Sequence, residues 1–176
     1  MYKRVNLYFQ DESRFGLMTH LGKCIAAKGV QPIIDYQHKF STTYLWGSYS
    51  PIDGNSFVWE INGVNKQIFQ AYLSQMSQHR PDELMILIID NAGFHSTKNI
   101  EIPHNIKLIN IPPYSPELNP CEQIWKYIKQ DYKNQIFKDM DTLKTWLHNT
   151  VNSMSNEVIK SICSNHHYLN AFYAAL

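Results

Sequence analysis

Leu84-Met85-Ile86-Leu87-Ile88-Ile89-Asp90-Asn91-Ala92-Gly93-Phe94-His95 is the stretch on which the fold of this chain turns. The apolar run from Leu84 to Ile89 shows no polar alternation and has the length of a short strand. That is the pattern of a strand buried on both faces, and it ends on a carboxylate, Asp90. A second run, Ile106 to Ile111, leads into the stiff Pro112-Pro113-Tyr114-Ser115-Pro116 segment. Asn119-Pro120 then opens a helix with Glu122 in its first turn. Rigid backbone thus delivers two acids to the ends of neighbouring elements, where open α/β sheets place their sites.

Upstream, Val5, Leu7 and Phe9 alternate with Asn6, Tyr8 and Gln10, which predicts a strand with one core face. Asp11 shares the parity of the apolar set, and Glu12 falls on the other side. Asp11-Glu12-Ser13 equally reads as a polar strand end turning into solvent. Gly16 to Ile34 carries Gly22, Gly29 and Pro32 and predicts a short hairpin or an irregular excursion. Its His20, Lys23 and Lys28 suit a phosphate backbone or plain solvation. Phe40 to Ser50 is β-branched and aromatic, hence a strand; Pro51 to Asn55 is a turn, and Ser56 to Ile61 returns as its partner.

The period then changes. Ile68, Phe69, Tyr72, Leu73 and Met76 recur at helical spacing between Asn65 and His79, and Arg80-Pro81-Asp82 stops the helix. One helical turn is expected near Ser96 to Ile100. Beyond Pro120 three apolar stripes follow: Ile124, Trp125, Ile128 and Tyr132; Leu143, Trp146, Leu147 and Val151; Val158, Ile159 and Ile162. Asp139 or Asp141 caps the second and Ser155 the third. The tail from His166 forms one more short helix. The expected fold class is α/β: a mixed five-stranded sheet, three antiparallel strands then two parallel, flanked by helices. In it the first and fourth strands lie side by side.

A length of 176 residues with 44% hydrophobic content supports one core, so residues 1–176 are expected to form a single domain. A net charge of +1 neither demands nor excludes nucleic acid, so any basic surface is local. Cys24, Cys121 and Cys163 are odd in number and far apart, with neither zinc spacing nor a disulfide framework. No signal core and no window of transmembrane length occurs, so a soluble, cytosolic chain is expected.

In such a sheet Asp11 and Asp90 end adjacent strands on the same side, and Glu122 comes off a helix nearby. Two-ion phosphoryl transfer needs a few carboxylates converging on cations about 3.5–4 Å apart. All-oxygen ligation suits magnesium or manganese. Asp90-Asn91-Ala92-Gly93 also reads as a local Asx turn, and Asn119-Pro120-Cys121-Glu122 as a capping box. Spacing does not choose between these readings.

Three blocks carry a resemblance that does choose. FQDESRFG (Phe9 to Gly16), LIIDNAGFH (Leu87 to His95) and PPYSPELNPCEQIW (Pro112 to Trp125) resemble the signature blocks of the DDE transposases. More narrowly, they are similar to the bacterial insertion-sequence branch of the mariner superfamily. The resemblance implies a ribonuclease H-like fold with Asp11, Asp90 and Glu122 as catalytic ligands of two divalent cations, Mg2+ with Mn2+ as substitute. It implies DNA cleavage by water, then attack of the freed 3′ hydroxyl on target DNA, commonly at a TA dinucleotide.

By position, Asn91 and His95 orient the Asp90 loop or contact DNA. The Pro112 to Pro116 segment aims Glu122, Tyr114, Ser115 and Asn119 support the site or contact DNA, and Trp125 packs its helix. Partners so implied are the element ends, target DNA and a second copy of the chain. No membrane is implied, and the place of action is the bacterial nucleoid. The Asp90 to Glu122 spacing, 122 − 90 = 32, is a few residues short of the family's usual pattern. Cys24-Ile25-Ala26 stands where relatives often carry a Trp. No helix-turn-helix region precedes Asp11, so a reader domain from a split upstream frame is expected, or else a truncated copy. A fold-keeping assembly module without catalysis, and a general ribonuclease H-like nuclease, are the competing readings.

Overall fold

The apolar run becomes the strand that joins the two halves of the sheet. The computed structural model describes residues 2–95, 100–113 and 115–175. Ser96 to Asn99, where most of a helical turn was expected, and Tyr114 lie outside the described residues. Strands β1 (Arg4–Gly16), β2 (Thr42–Tyr49), β3 (Ser56–Ile61), β4 (Glu83–Ile89) and β5 (Ile106–Asn110) form one sheet in the order β3-β2-β1-β4-β5. β2 pairs antiparallel with β1 and β3, whereas β4 pairs parallel with β1 and β5. The mixed sheet, with the first and fourth strands adjacent, is as expected.

Helix α1 (Lys66–His79) covers one face. Asn65 caps it by accepting the Ile68 N–H at 2.8 Å, so its first turn is satisfied before the apolar stripe begins. Phe69, Tyr72, Leu73 and Met76 are fully buried against Tyr8, Trp46, Met85, Leu87 and Ile89. Each such side chain contributes about 1.5–3 kcal/mol. The other face is covered by α2 (Cys121–Tyr132), α3 (Met140–Ser153), α4 (Asn156–Cys163) and α5 (His166–Ala174). Ile124, Trp125 and Ile128 pack there with Leu7, Phe9 and Phe15. Asp139 and Ser155 cap α3 and α4. No helix among the described residues is long and apolar enough to cross a membrane.

Two expectations are corrected. β1 has two buried faces, not one: Asn6, Tyr8 and Gln10 are as enclosed as Leu7 and Phe9. A central strand with helices on both sides has no wet face, and its polar groups find partners instead. The Tyr8 hydroxyl donates to Glu83 at 2.7 Å, and Asn6 donates to Asp53 at 3.0 Å. β1 also does not end at Asp11. It continues to Gly16 on antiparallel bonds to β2 after its pairing with β4 stops at Phe9.

The segment after Gly16 is an irregular excursion and not a hairpin. Only its base is laddered, with Leu17 N–H donating to Ser41 and Thr19 N–H to Gln37, both at 3.0 Å. Its Ile25, Val30 and Ile33 are exposed, so no apolar contact holds two strands in register.

Candidate active site

Asp11 sits within β1 on the face toward α2, opposite Gly47 of β2. The Trp125 indole N–H donates to Asp11 Oδ2 at 2.9 Å. Gly47 makes this contact possible, because a Cβ there would stand 2.8 Å from the Trp125 ring and 2.5 Å from that of Tyr49. Trp125 therefore packs its helix, as expected, and also holds a candidate ligand. Burial pushes the Asp11 carboxyl up to about 7, helped by the charges of Glu12 and Glu122 and opposed by the indole bond.

Asp90 lies one residue past β4. Its Oδ1 accepts the Ala92 N–H at 2.8 Å, so the Asx turn is real, and the same oxygen meets His95 Nδ1 at 2.6 Å. The other imidazole nitrogen lies 3.2 Å from Glu12 Oε1, which also accepts from Gln10 at 2.5 Å. The His95 side chain is 1% exposed, enclosed by Phe69, Phe94 and Trp46. Burial alone would lower its pKa, but the bonds and charges of Asp90 and Glu12 outweigh this and raise it to about 9. His95 is thus an imidazolium between two carboxylates. Its hydrogen bond holds the Asp90 carboxyl below the usual range. Asn91 donates to the Ile111 carbonyl at 2.6 Å, and Asn110 donates to that of Asp90 at 3.0 Å, strapping the ends of β4 and β5 together.

Glu122 is exposed in the first turn of α2. The capping box does not form: Pro120 takes the cap position without a side-chain bond. Asn119 instead locks the helix start to β1. Its amide donates to the Gln10 carbonyl at 3.0 Å and its oxygen accepts the Cys121 N–H at 3.1 Å. The Cys121 thiol adds a bond to the Phe9 carbonyl at 3.0 Å. Asn119→Ala leaves a buried carbonyl and an N–H unpaired and should cost about 1–3 kcal/mol, read as a lower urea midpoint at unchanged slope. Ser115 donates to the Pro113 carbonyl at 3.4 Å and lines with Asp90 a cleft of about 370 Å³. Glu122 and Asn119 line another of about 470 Å³.

The parallel register ends with Phe9 paired to Ile88, so Asp11 and Asp90 each lie two residues past the last pair of adjacent strands. Asp11 and Glu122 feel each other's charge, whereas Asp90 is turned toward His95. Among the described residues no three His, Cys, Asp or Glu side chains are gathered to hold a metal ion. The expected convergence is incomplete because Asp11 and Asp90 each spend one oxygen on a protein donor. The donor set nevertheless suits a hard cation: it is all carboxylate, and Asp11, raised chiefly by burial, also feels the negative charges of Glu12 and Glu122. Glu12 was not foreseen as part of this network. Strand parity put it opposite Asp11, but nothing local tied it to His95.

The family model for DDE superfamily endonucleases matches residues 6–144, a span that includes all three acids. The chain belongs to the DDE superfamily of endonucleases. Divalent-metal use comes with that family. Another protein, the uncharacterized y4pE/y4sA of Sinorhizobium fredii, is 34% identical over 104 residues, 58% of this DDE-family chain and 77% of that protein. Among solved structures, the Mos1 strand transfer complex matches with a TM-score of 0.66 at 16% identity, covering 89% of this chain and 50% of that one. The Mos1 mariner paired end complex with Mn matches at 0.65 and 17% identity, covering 89% and 51%. The DDE-family chain thus has the ribonuclease H-like fold of Mos1 and spans about half the length of those chains.

Proposed function

We propose that residues 1–176 act as the catalytic domain of a transposase from the bacterial insertion-sequence branch of the mariner superfamily. In this reading Asp11, Asp90 and Glu122 supply the oxygens that hold two divalent cations, Mg2+ with Mn2+ as substitute. Bound there, the cations would activate the attacking hydroxyl or water and stabilise the leaving 3′ oxygen. The chain's own residues do the positioning. His95 and the Ala92 N–H orient Asp90, Asn91 fixes the turn that carries it, Trp125 holds Asp11, and Asn119 anchors the helix that presents Glu122. Tyr114 and Ser115 belong to the segment leading to that helix.

The observation that carries the reading is the register of β1 on β4. Continued two residues past its last pair, Phe9 with Ile88, it would set Asp11 and Asp90 side by side, and the Asn119 lock fastens the Glu122 helix to the residue before Asp11. DNA is the proposed substrate, two copies of the chain pair two element ends, and a helix-turn-helix reader comes from another segment or subunit. The place of action is the nucleoid.

The test is nicking and joining of supercoiled DNA with Mg2+ or Mn2+. Nicked and joined products are expected from the wild type and neither from Glu122→Gln. An inert wild type that still binds Mn2+, even with the reader subunit added, would favour a non-catalytic assembly module. The ungathered acids are the observation on that side.

A further inference from the structure

Beside the acids lies a second feature that the proposed chemistry does not use. Lys129 is seven residues beyond Glu122, two turns along the same face of α2. Its ammonium stands 5.4 Å over the Phe15 ring and is half-buried. With Arg14, His20, Lys39 and Phe40 it lines a cleft of about 480 Å³ that contains no carboxylate. Among the described residues neither Arg14 nor Lys129 has a salt-bridge partner. Burial, with the charge of Arg14 acting in the same direction, lowers the Lys129 pKa, while Glu122 and Asp11 oppose that from the acid site. A chain of net charge +1 has thus gathered Arg14, Lys39 and Lys129 into one acid-free cleft next to its acids. At the rim, Phe40 is 74% exposed.

Unpaired cations at close quarters repel each other, and half-burial strengthens that repulsion, so the arrangement is stable when an anion enters. A guanidinium and an ammonium together match a phosphodiester. The volume is that of one small ligand, not of a stacked base pair. A duplex keeps its bases inside, so the exposed ring of Phe40 can stack only on an unpaired base. We infer that this cleft seats one nucleotide of a DNA single strand running past the acids, its phosphate between Arg14 and Lys129 and its base on Phe40. The inference rests on the proposed action on DNA.

The experiment is fluorescence anisotropy with a labelled oligothymidine and a hairpin duplex of equal length, without divalent cation, across a salt series. The Arg14→Gln/Lys129→Met variant should bind the single strand at least about tenfold more weakly. Its log–log salt slope should be shallower by about 0.7 for each phosphate that is no longer neutralised. Phe40→Ala should weaken binding about fivefold or more with the slope unchanged. Lys129→Arg should bind like the wild type, which separates charge from folding. Unchanged affinity in both loss variants, or a wild type that prefers the duplex, overturns the inference. A wild type that holds the strand through this cleft but never cuts DNA ends the transposase reading and leaves the cleft standing. Cutting by a chain whose cleft variants bind normally does the reverse.

Discussion

Asp90→Ala should abolish nicking and strand joining on supercoiled DNA while leaving the fold in place. A metal-ligating carboxylate supports several kcal/mol of charge stabilisation in the transition state. At 1.36 kcal/mol per decade, its loss lowers the rate by about a thousandfold or more. The structural cost is small by comparison. The Asp90 side chain is 42% exposed, so truncation leaves no core cavity, and the lost bonds to Ala92 and His95 amount to about 1–3 kcal/mol. Asp90→Asn refines the test, because it keeps the acceptor for the Ala92 turn and removes only the charge. Both variants should lose Mn2+ binding in a calorimetric titration at an unchanged far-ultraviolet dichroism spectrum. Activity within tenfold of the wild type in either variant would remove Asp90 from the proposed ligand set.

His95→Ala should be the most destabilising single substitution in the site, by about 3–5 kcal/mol. The imidazolium is the cation that Glu12 meets at 3.2 Å, and the Glu12 side chain is only 8% exposed. Its removal leaves that carboxylate enclosed without a countercharge and opens a hole among Phe69, Phe94 and Trp46. With a total stability of about 5–15 kcal/mol for a domain, such a loss brings the chain close to unfolding at 37 °C. Glu12→Gln in the His95→Ala background should recover part of it, since the stranded charge is then gone. A urea midpoint for His95→Ala equal to the wild type's would show that the bridge contributes nothing.

The same network sets the pH dependence. The folded pKa of His95, about 9, lies above the ordinary 6.5, so the folded state keeps a proton that the unfolded chain has released. Its contribution is fully present below about 6.5 and is lost as pH rises through about 9, at up to about 1.4 kcal/mol per pH unit. Asp11, raised to about 7, has the same sign in a lower window: its contribution is present below about 4 and lost as pH rises through 7. Asp90 has the opposite sign. Its carboxyl is depressed, so its contribution is lost as pH falls through the acid range. The wild-type urea midpoint should therefore fall between pH 6.5 and 9, and Glu12→Gln/His95→Gln should flatten that limb.

The elements were legible where the periodicity was local. Leu84 to Ile89 reads as a strand and is one, apart from the added Glu83, but only the face of Met85, Leu87 and Ile89 is fully buried, because the helices on the other side leave Leu84, Ile86 and Ile88 half-covered. Ser56 to Ile61 and the helix capped by Asn65 appear at the residues where their patterns change. The candidate acids stand within three blocks, and the strand order that makes β1 and β4 neighbours followed from the succession of elements. Periodicity reports the face that a segment itself prefers to bury, and that preference is written within a few residues.

What lay beyond that reach was decided by tertiary structure. Val5, Leu7 and Phe9 announce one buried face of β1, but Tyr8 and Gln10 are enclosed only because α1 and its loop cover the other. Asp11-Glu12-Ser13 is polar enough to end a strand, and it stays in the sheet because β2 supplies the backbone partners. Glu12 meets His95 across 83 residues, Trp125 meets Asp11 across 114, and Lys129 reaches the same cleft as Arg14 from a different element. A hydrogen bond or a charge contact of that kind needs only a few ångströms in space and leaves no spacing in the sequence. The chain's own pattern therefore specified its strands, its helices and where the acids stand. Only the packed sheet determined which way those acids face and what holds them there.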